Sequence, residues 1–342
     1  MRLLITGGSG FIGTNLVQFY FDKGVSLINV DWNPPLNSEQ SVYWQQCNIM
    51  DRDALVNVFV EFAPTHVVHL AARTDTDEED DIAEYLQNTE GTRNVLTAIS
   101  TCPGIERVVI TSSQFVCEAG YQPKHDRDYK PFTLYGQTKK LTEQYTREAG
   151  LTCAWSIIRP TTIWGPWSLR YRDVMFKVMK KGLYFHPAKR SVIRSYGYVG
   201  NVVWQIDRIF EIETEEMDRK VFYVGDMPFD IIDWVECVSK HLTGNKVGKL
   251  PTFLVHMIAL VGDALTAVDL PFPITTGRFK SMTEDYIVPM EETVRVLGAA
   301  PFSMEEGVRI MIDWYNAGSE MIKAHEMKDV REKTIPRRIK DA

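Results

Sequence analysis

Cysteine is scarce in this sequence, an excess of positive charge is missing, and no apolar run is long enough to cross a bilayer. The five cysteines, Cys47, Cys102, Cys117, Cys153 and Cys237, are odd in number, widely spaced and without a C-x-x-C pair. That pattern excludes a disulfide framework or a zinc site and predicts reduced thiols in a cytoplasmic protein. A formal charge of −7 argues against nucleic acid or an anionic membrane as the main partner. The most apolar stretch, Phe253 to Val268, is shorter than the roughly 20 residues of a transmembrane span. Gly262-Asp263 interrupts it, and its apolar faces predict packing in a core or at an interface. His66 and His69, three apart on a strand, face opposite sides, so no metal pair is expected. An apolar strand beginning at residue 2 leaves no room for a signal peptide.

The chain has 342 residues, 44% hydrophobic and 24% charged, which suits one large or two ordinary globular domains. Thr6-Gly7-Gly8-Ser9-Gly10-Phe11-Ile12-Gly13 directly follows the apolar run Arg2 to Ile5, and Ile12, Leu16 and Tyr20 then recur at helical spacing. Between a strand and a helix, Gly7 permits a tight turn, Gly10 lets the main chain approach a pyrophosphate, and Gly13 lets the helix pack on its strand. Phe11 and Ile12 open the helix, whose free N–H groups would face the dianion. A second strand, Val25 to Val30, ends in Asp31. Its carboxylate would either accept the adenosine ribose hydroxyls, favouring NAD over NADP, or cap a turn.

Strands and helices continue to alternate. A third strand is expected near Ser41 to Trp44, a fourth at His66 to Leu70, a fifth at Arg107 to Ile110 and a sixth at Cys153 to Ile158. Helices are expected from Ile82 to Ser100 and from Tyr135 to Ala149. The pattern predicts an α/β fold, a Rossmann-like doubly wound parallel sheet over residues 1–165 to which 198–226 return. Aromatic, basic and proline residues become commoner beyond Gly165. Residues 166–197 and 227–327 are expected to form a smaller, mostly helical substrate domain, with 328–342 a flexible tail. The acidic run Thr74 to Asp81 reads as a solvated loop.

Tyr135 and Lys139 stand four apart, on one face of a helix. A phenol titrates near 10, about three units too high for a base at neutral pH, and a neighbouring ammonium favours the phenolate. Tyr135 could then take a hydroxyl proton while the carbon gives up hydride. Among 14 tyrosines about one such spacing arises by accident. Ser113, at the end of the fifth strand, adds a hydroxyl able to hold the same substrate oxygen.

The glycine loop, His69-Leu70-Ala71-Ala72, Asn88 to Leu96, Ser112-Ser113, Tyr135-Gly136-Gln137-Thr138-Lys139 and Arg159 to Pro166 occur in an order that resembles the extended short-chain dehydrogenase/reductases. These are best known as nucleotide-sugar epimerases, dehydratases and reductases. The resemblance implies bound NAD and a catalytic Ser113, Tyr135 and Lys139, with Lys139 also bonding the nicotinamide ribose. It places adenine near Asn48 and Ile49, and Leu70, Ala71, Ala72, Asn88 and Pro160 along the cofactor. It implies substrate contacts from Thr74, Gln114 and Thr162, and from Arg194 as a pyrophosphate clamp, unless that guanidinium serves a structural ion pair. A homodimer pairing the helices Ile82 to Ser100 and Tyr135 to Ala149 is expected on the same ground.

The departures narrow this reading. Gln114 and Phe115 stand where dehydratases and the related decarboxylases carry acidic residues, which argues against both. Asn48 and Asn201 replace aspartates, and Thr162 replaces an asparagine common in epimerases. The last third is similar in outline to the 3β-hydroxysteroid branch. The leading expectation is an NAD-dependent nucleotide-sugar epimerase working through a keto-sugar. The alternative is a dehydrogenase or ketoreductase of a keto-sugar nucleotide or a sterol-like alcohol, with the same triad and exchanging NAD(H).

Overall fold

The computed structural model describes residues 1–74, 81–188, 191–268, 270 and 272–318. The acidic stretch 75–80 and the expected tail 328–342 lie outside them. Strands β1 (Arg2–Thr6), β2 (Ser26–Asp31), β3 (Trp44–Gln46), β4 (His66–His69), β5 (Arg107–Thr111) and β6 (Ala154–Pro160) join a seventh, Lys220–Val224, in one parallel sheet. The order is seventh–β6–β5–β4–β1–β2–β3. All four residues of β4 are buried, as are Leu3 to Thr6 of β1. Strands buried along nearly their whole length suit a parallel sheet whose two faces are both covered by helices.

Alternation within β1 divides the core. Leu3 and Ile5 join one hydrophobic cluster with Leu16 and Tyr20 of α1 (Phe11–Asp22) and Val202 and Ile206 of the helix Val199–Glu211. Leu4 joins the other cluster, with Leu55 and Phe59 of α2 (Arg52–Phe62) and Val95 and Ile99 of α3 (Leu86–Ser100). Side-chain caps set the helix starts: Asp51 accepts from Ala54 N–H ahead of α2, and Thr133 from Gly136 N–H ahead of α4 (Leu134–Glu148).

Local departures from expectation have local causes. Ser38–Tyr43 forms a 3₁₀ turn, capped by Asn37, and only Trp44–Gln46 pair as β3. Ile82–Tyr85 is likewise a 3₁₀ turn ahead of α3. β6 runs two residues past Ile158 because the seventh strand pairs with it as far as Val224↔Pro160.

Beyond β6 the chain is not only helical. Thr162–Trp164 pairs with Tyr196–Tyr198, Ile193–Arg194 with Phe229–Asp230, and Phe185–Ala188 with Gly248–Pro251. The helices Ile231–Thr243, Thr252–Thr266 and Thr276–Thr283 pack around these ribbons, and a further helix spans 304–318. Thr252–Thr266, expected to pack in a core or at an interface, is only half packed within the chain. It buries Val255, Ala259 and Gly262, while Phe253, Leu254, Met257, Leu260 and Val261 stay exposed.

Candidate active site

The sheet order reverses between β4 and β1, and the loops leaving those strands part to open a cleft. Gly7 takes φ +76°, and a Cβ there would lie 2.4 Å from Ala71 N, so the two loops meet backbone to backbone. A Cβ on Gly13 would lie 2.4 Å from Gly7 O, inside the turn. Gly10 differs, since its Cβ would meet only Gly7 O, at 3.4 Å. Nothing in the fold itself demands glycine there. It is the N-cap of α1, makes no side-chain cap and faces the cleft, so the space before the free N–H groups suits a phosphate.

The cleft has a volume of about 970 Å³ and runs from this loop to the ends of β5 and β6. Gly7, Gly10, Phe11, Ile12, Gly13, Asp31, Asn48, Ile49, Leu70, Ala71, Ala72 and Pro160 line it, as do Thr74, Ser113, Gln114, Tyr135, Lys139 and Thr162. Asp31 ends β2 with its carboxylate accepting from Ser9 N–H at 3.1 Å and Asn33 N–H at 3.0 Å. Burial pushes its pKa up, and these N–H groups oppose the rise. Gln114 Nε2 donates to Thr162 Oγ1 at 3.0 Å, joining two of the expected substrate contacts. Three polar atoms of the lining, Thr111 Oγ1, Gln114 Oε1 and Thr161 Oγ1, are buried without a partner among the described residues. Unpaired atoms of this kind fit a polar ligand.

Two expected residues stand elsewhere. Asn88 does not reach the cleft. Its side chain clamps the strand end instead, accepting from Arg73 N–H at 2.8 Å and donating to Arg73 O at 2.9 Å and Thr138 Oγ1 at 3.0 Å. Arg194 is also outside the lining, 7% exposed, because the ribbon Ile193–Arg194 turns it inward. Its Nη1 donates to Glu284 O at 3.0 Å, and its guanidinium stands 5.4 Å from the Tyr286 ring. The cleft carries Arg170 on its rim instead.

At the chemical end, Tyr135 and Lys139 project from one face of α4 beneath Ser113, which follows β5. Lys139 Nζ donates to Thr111 O at 2.9 Å and lies 5.9 Å from the Tyr135 ring. Burial pushes the phenol up to about 12, against the pull of its hydrogen bond with Ser113. Burial lowers Lys139 to about 8, with Glu143 opposing. The net direction for the phenol is upward, because the shared cavity desolvates both groups. His69 is pushed down to about 3 by burial and the Lys139 charge, and bonds Thr6 Oγ1 at 2.7 Å and Thr92 Oγ1 at 3.2 Å. These bonds tie β4 to β1 and to α3.

Sequence reasoning missed the group behind this pair. Glu143 is fully buried and accepts from Ser112 Oγ at 2.7 Å, Tyr129 Oη at 2.8 Å, and Arg159 Nε and Nη2 at 2.8 and 2.9 Å. It lies one helical turn after Lys139, a spacing that could have identified it. The rim at Trp167 to Tyr171 was missed as well. Trp167 holds φ +69°, a costly conformation for a bulky residue, and a π-helical turn follows at Tyr171–Phe176.

The chain is similar to known proteins in sequence and in fold. An Escherichia coli O157:H7 protein named N-acetyl-alpha-D-glucosaminyl-diphospho-ditrans,octacis-undecaprenol 4-epimerase is 30% identical over 59% of this chain and 61% of its own. A Mycobacterium tuberculosis 3β-hydroxysteroid dehydrogenase/Δ5→4-isomerase is 28% identical over 59% of this chain and 58% of its own. The chain thus spans about three fifths of the length of these curated relatives. The fold matches the Thermotoga maritima UDP-glucose 4-epimerase solved with UDP-glucose, at TM-score 0.72 and 20% identity over 93% of this chain and 99% of that one. A Bordetella bronchiseptica enzyme solved with NAD and UDP gives TM-score 0.70 and 20% identity over 93% and 95% of the two chains. With the glycine loop, Asp31 and the Ser113–Tyr135–Lys139 group in one cleft, and the family model matching residues 3–225, the chain belongs to the NAD-dependent epimerase/dehydratase family.

Proposed function

We propose that the chain is an NAD-dependent epimerase of a nucleotide sugar. The observation that carries this reading is the cleft itself, in which a phosphate-ready helix start and Asp31 share one cavity with Ser113, Tyr135 and Lys139. Bound NAD would supply the hydride acceptor and, once the sugar has turned over, the hydride donor. Gly10, Phe11 and Ile12 would hold its pyrophosphate, and Asp31 its adenosine ribose.

Ser113 would hold the reacting hydroxyl against Tyr135, which takes the proton as the sugar carbon loses hydride and returns it when hydride arrives on the other face. Lys139 would bond the nicotinamide ribose. Gln114 and Thr162, already joined, would meet the sugar, and Arg170 is better placed for the diphosphate than Arg194. Thr74, exposed at the mouth, completes the lining. The same triad would serve a net dehydrogenase, the reading favoured by the steroid dehydrogenase relatives.

Turnover of candidate UDP-sugars separates the two. The expected result is an epimeric sugar with no net change in nicotinamide absorbance, and about a thousandfold loss in Tyr135→Phe. Reduced cofactor formed in proportion to product would overturn the epimerase reading.

A further inference from the structure

The helix Thr252–Thr266 is held by one narrow face. Val255, Ala259 and Gly262 are buried at helical spacing, His256 stacks on Phe279 with ring centroids 4.9 Å apart, and Asp263 accepts from Thr276 N–H at 3.0 Å. A Cβ added to Gly262 would lie 1.9 Å from Ile274 O, so on this side the helix touches backbone. The opposite face is apolar and open. Phe253 is 66% exposed, Met257 56%, Leu260 45% and Val261 54%, at i, i+4, i+7 and i+8 on one side of the helix. Single exposed apolar side chains are ordinary, but a continuous stripe on a firmly anchored helix marks an interaction surface.

Charge indicates what covers it. The whole chain carries −7, yet residues 170–190 hold seven Lys or Arg against one Asp, and 240–283 hold five against two. The parallel pairing of Phe185–Ala188 with Gly248–Pro251 brings these two basic segments together just before the helix. Lys181, Lys246 and Lys280 are exposed. A second copy would set two positive lobes face to face, whereas an anionic phospholipid surface attracts them. With 15 residues the helix is too short to span a bilayer, and no helix among the described residues is long and apolar enough to do so.

We propose that the outer face of Thr252–Thr266 seats on an anionic bilayer surface. Phe253, Met257 and Leu260 enter the headgroup layer, and the exposed lysines of the two basic segments supply long-range attraction. The contact lies in the same lobe as the rim of the cleft. Arg278, on the helix packed against Thr252–Thr266, feels the charge of the rim residue Arg170. This goes beyond the proposed reaction and does not depend on it.

The test reads binding without turnover. The full chain is sedimented with vesicles of phosphatidylcholine containing about one third phosphatidylglycerol, and with phosphatidylcholine alone. The expected result is binding to the anionic vesicles, about tenfold weaker on neutral ones or in roughly 0.5 M salt. Phe253→Ser/Met257→Ser/Leu260→Ser should lower the bound-to-free ratio about a hundredfold with unchanged circular dichroism. Lys246→Glu/Lys280→Glu, which keeps the apolar face, should also weaken binding. A chain that stays in the supernatant with anionic vesicles overturns the proposal, as does a triple variant that binds like the parent. A dimeric mass that the triple variant halves, without vesicle binding, assigns the face to a second copy and overturns it too.

Discussion

Replacing Glu143 by alanine should destabilise the chain by about 4 kcal/mol, although the residue is fully buried and does not itself line the cleft. Its carboxylate accepts four hydrogen bonds of 2.7 to 2.9 Å, two of them from Arg159. Without it the Arg159 guanidinium, 1% exposed, keeps neutral partners such as Tyr223 Oη at 3.1 Å but loses its counter-ion. Breaking a buried pair from one side costs about 3–5 kcal/mol because the other charge is left desolvated, and that cost dominates the lost hydrogen bonds.

Urea unfolding followed by fluorescence of the eight tryptophans would measure this. Taking about 2.1 cal/mol/K per residue for the unfolding entropy, the same loss lowers Tm by about 6 °C. The double variant Glu143→Met/Arg159→Met removes both charges together. It should lie at least about 2 kcal/mol above the sum of its single variants. A cost below about 1 kcal/mol for Glu143→Ala, the value of an exposed pair, would refute the reasoning, as would simple additivity in the cycle.

Two further outcomes follow from the cleft. Burial holds Lys139 at about 8 in the folded chain, against 10.5 for an unperturbed lysine. The unfolded state then binds more protons between these limits, and the group's contribution to stability rises with pH across them. The stability of Lys139→Met relative to the parent should therefore fall by about 3 kcal/mol between pH 8 and 10.5, measured by urea unfolding at a series of pH values. A constant difference would show that Lys139 is not desolvated. Asp31→Ala should reduce the preference for NAD over NADP about tenfold, by removing the charge that repels the 2′-phosphate, as read by titrating each cofactor. An unchanged ratio would leave Asp31 as a turn cap only.

What could be read from the sequence is what short-range chemistry encodes. The glycine loop is legible because Gly7, Gly10 and Gly13 answer to a turn and a helix start within eight residues. Tyr135 and Lys139 share a face by helical geometry alone. Ser113 needed the further step of placing it at the end of β5. Two expected site residues stand outside the cleft because of partners distant in sequence. Asn88 is drawn back by Arg73 and Thr138, Arg194 by the ribbon that pairs it with Phe229, and nothing local distinguishes either from a lining residue. For Thr252–Thr266, apolarity was plain, but which face would lack a partner depended on where Phe279 and Ile274 arrive.

Burial acts on Tyr135 and Lys139 together. It pushes the phenol up to about 12 and the ammonium down to about 8, so the cleft favours the neutral form of each. A Tyr–Lys spacing on a helix therefore does not by itself create a base, since the burial that excludes water raises the cost of both charges. Ser113 and Glu143 oppose that cost from two sides, one by bonding the phenol and the other by favouring the ammonium. Neither outweighs burial. In the proposed reaction the remaining stabilisation of a phenolate would have to come from bound ligands, and the hydroxyl held against Ser113 would supply part of it. Proton transfer by Tyr135 would then depend on a loaded cleft.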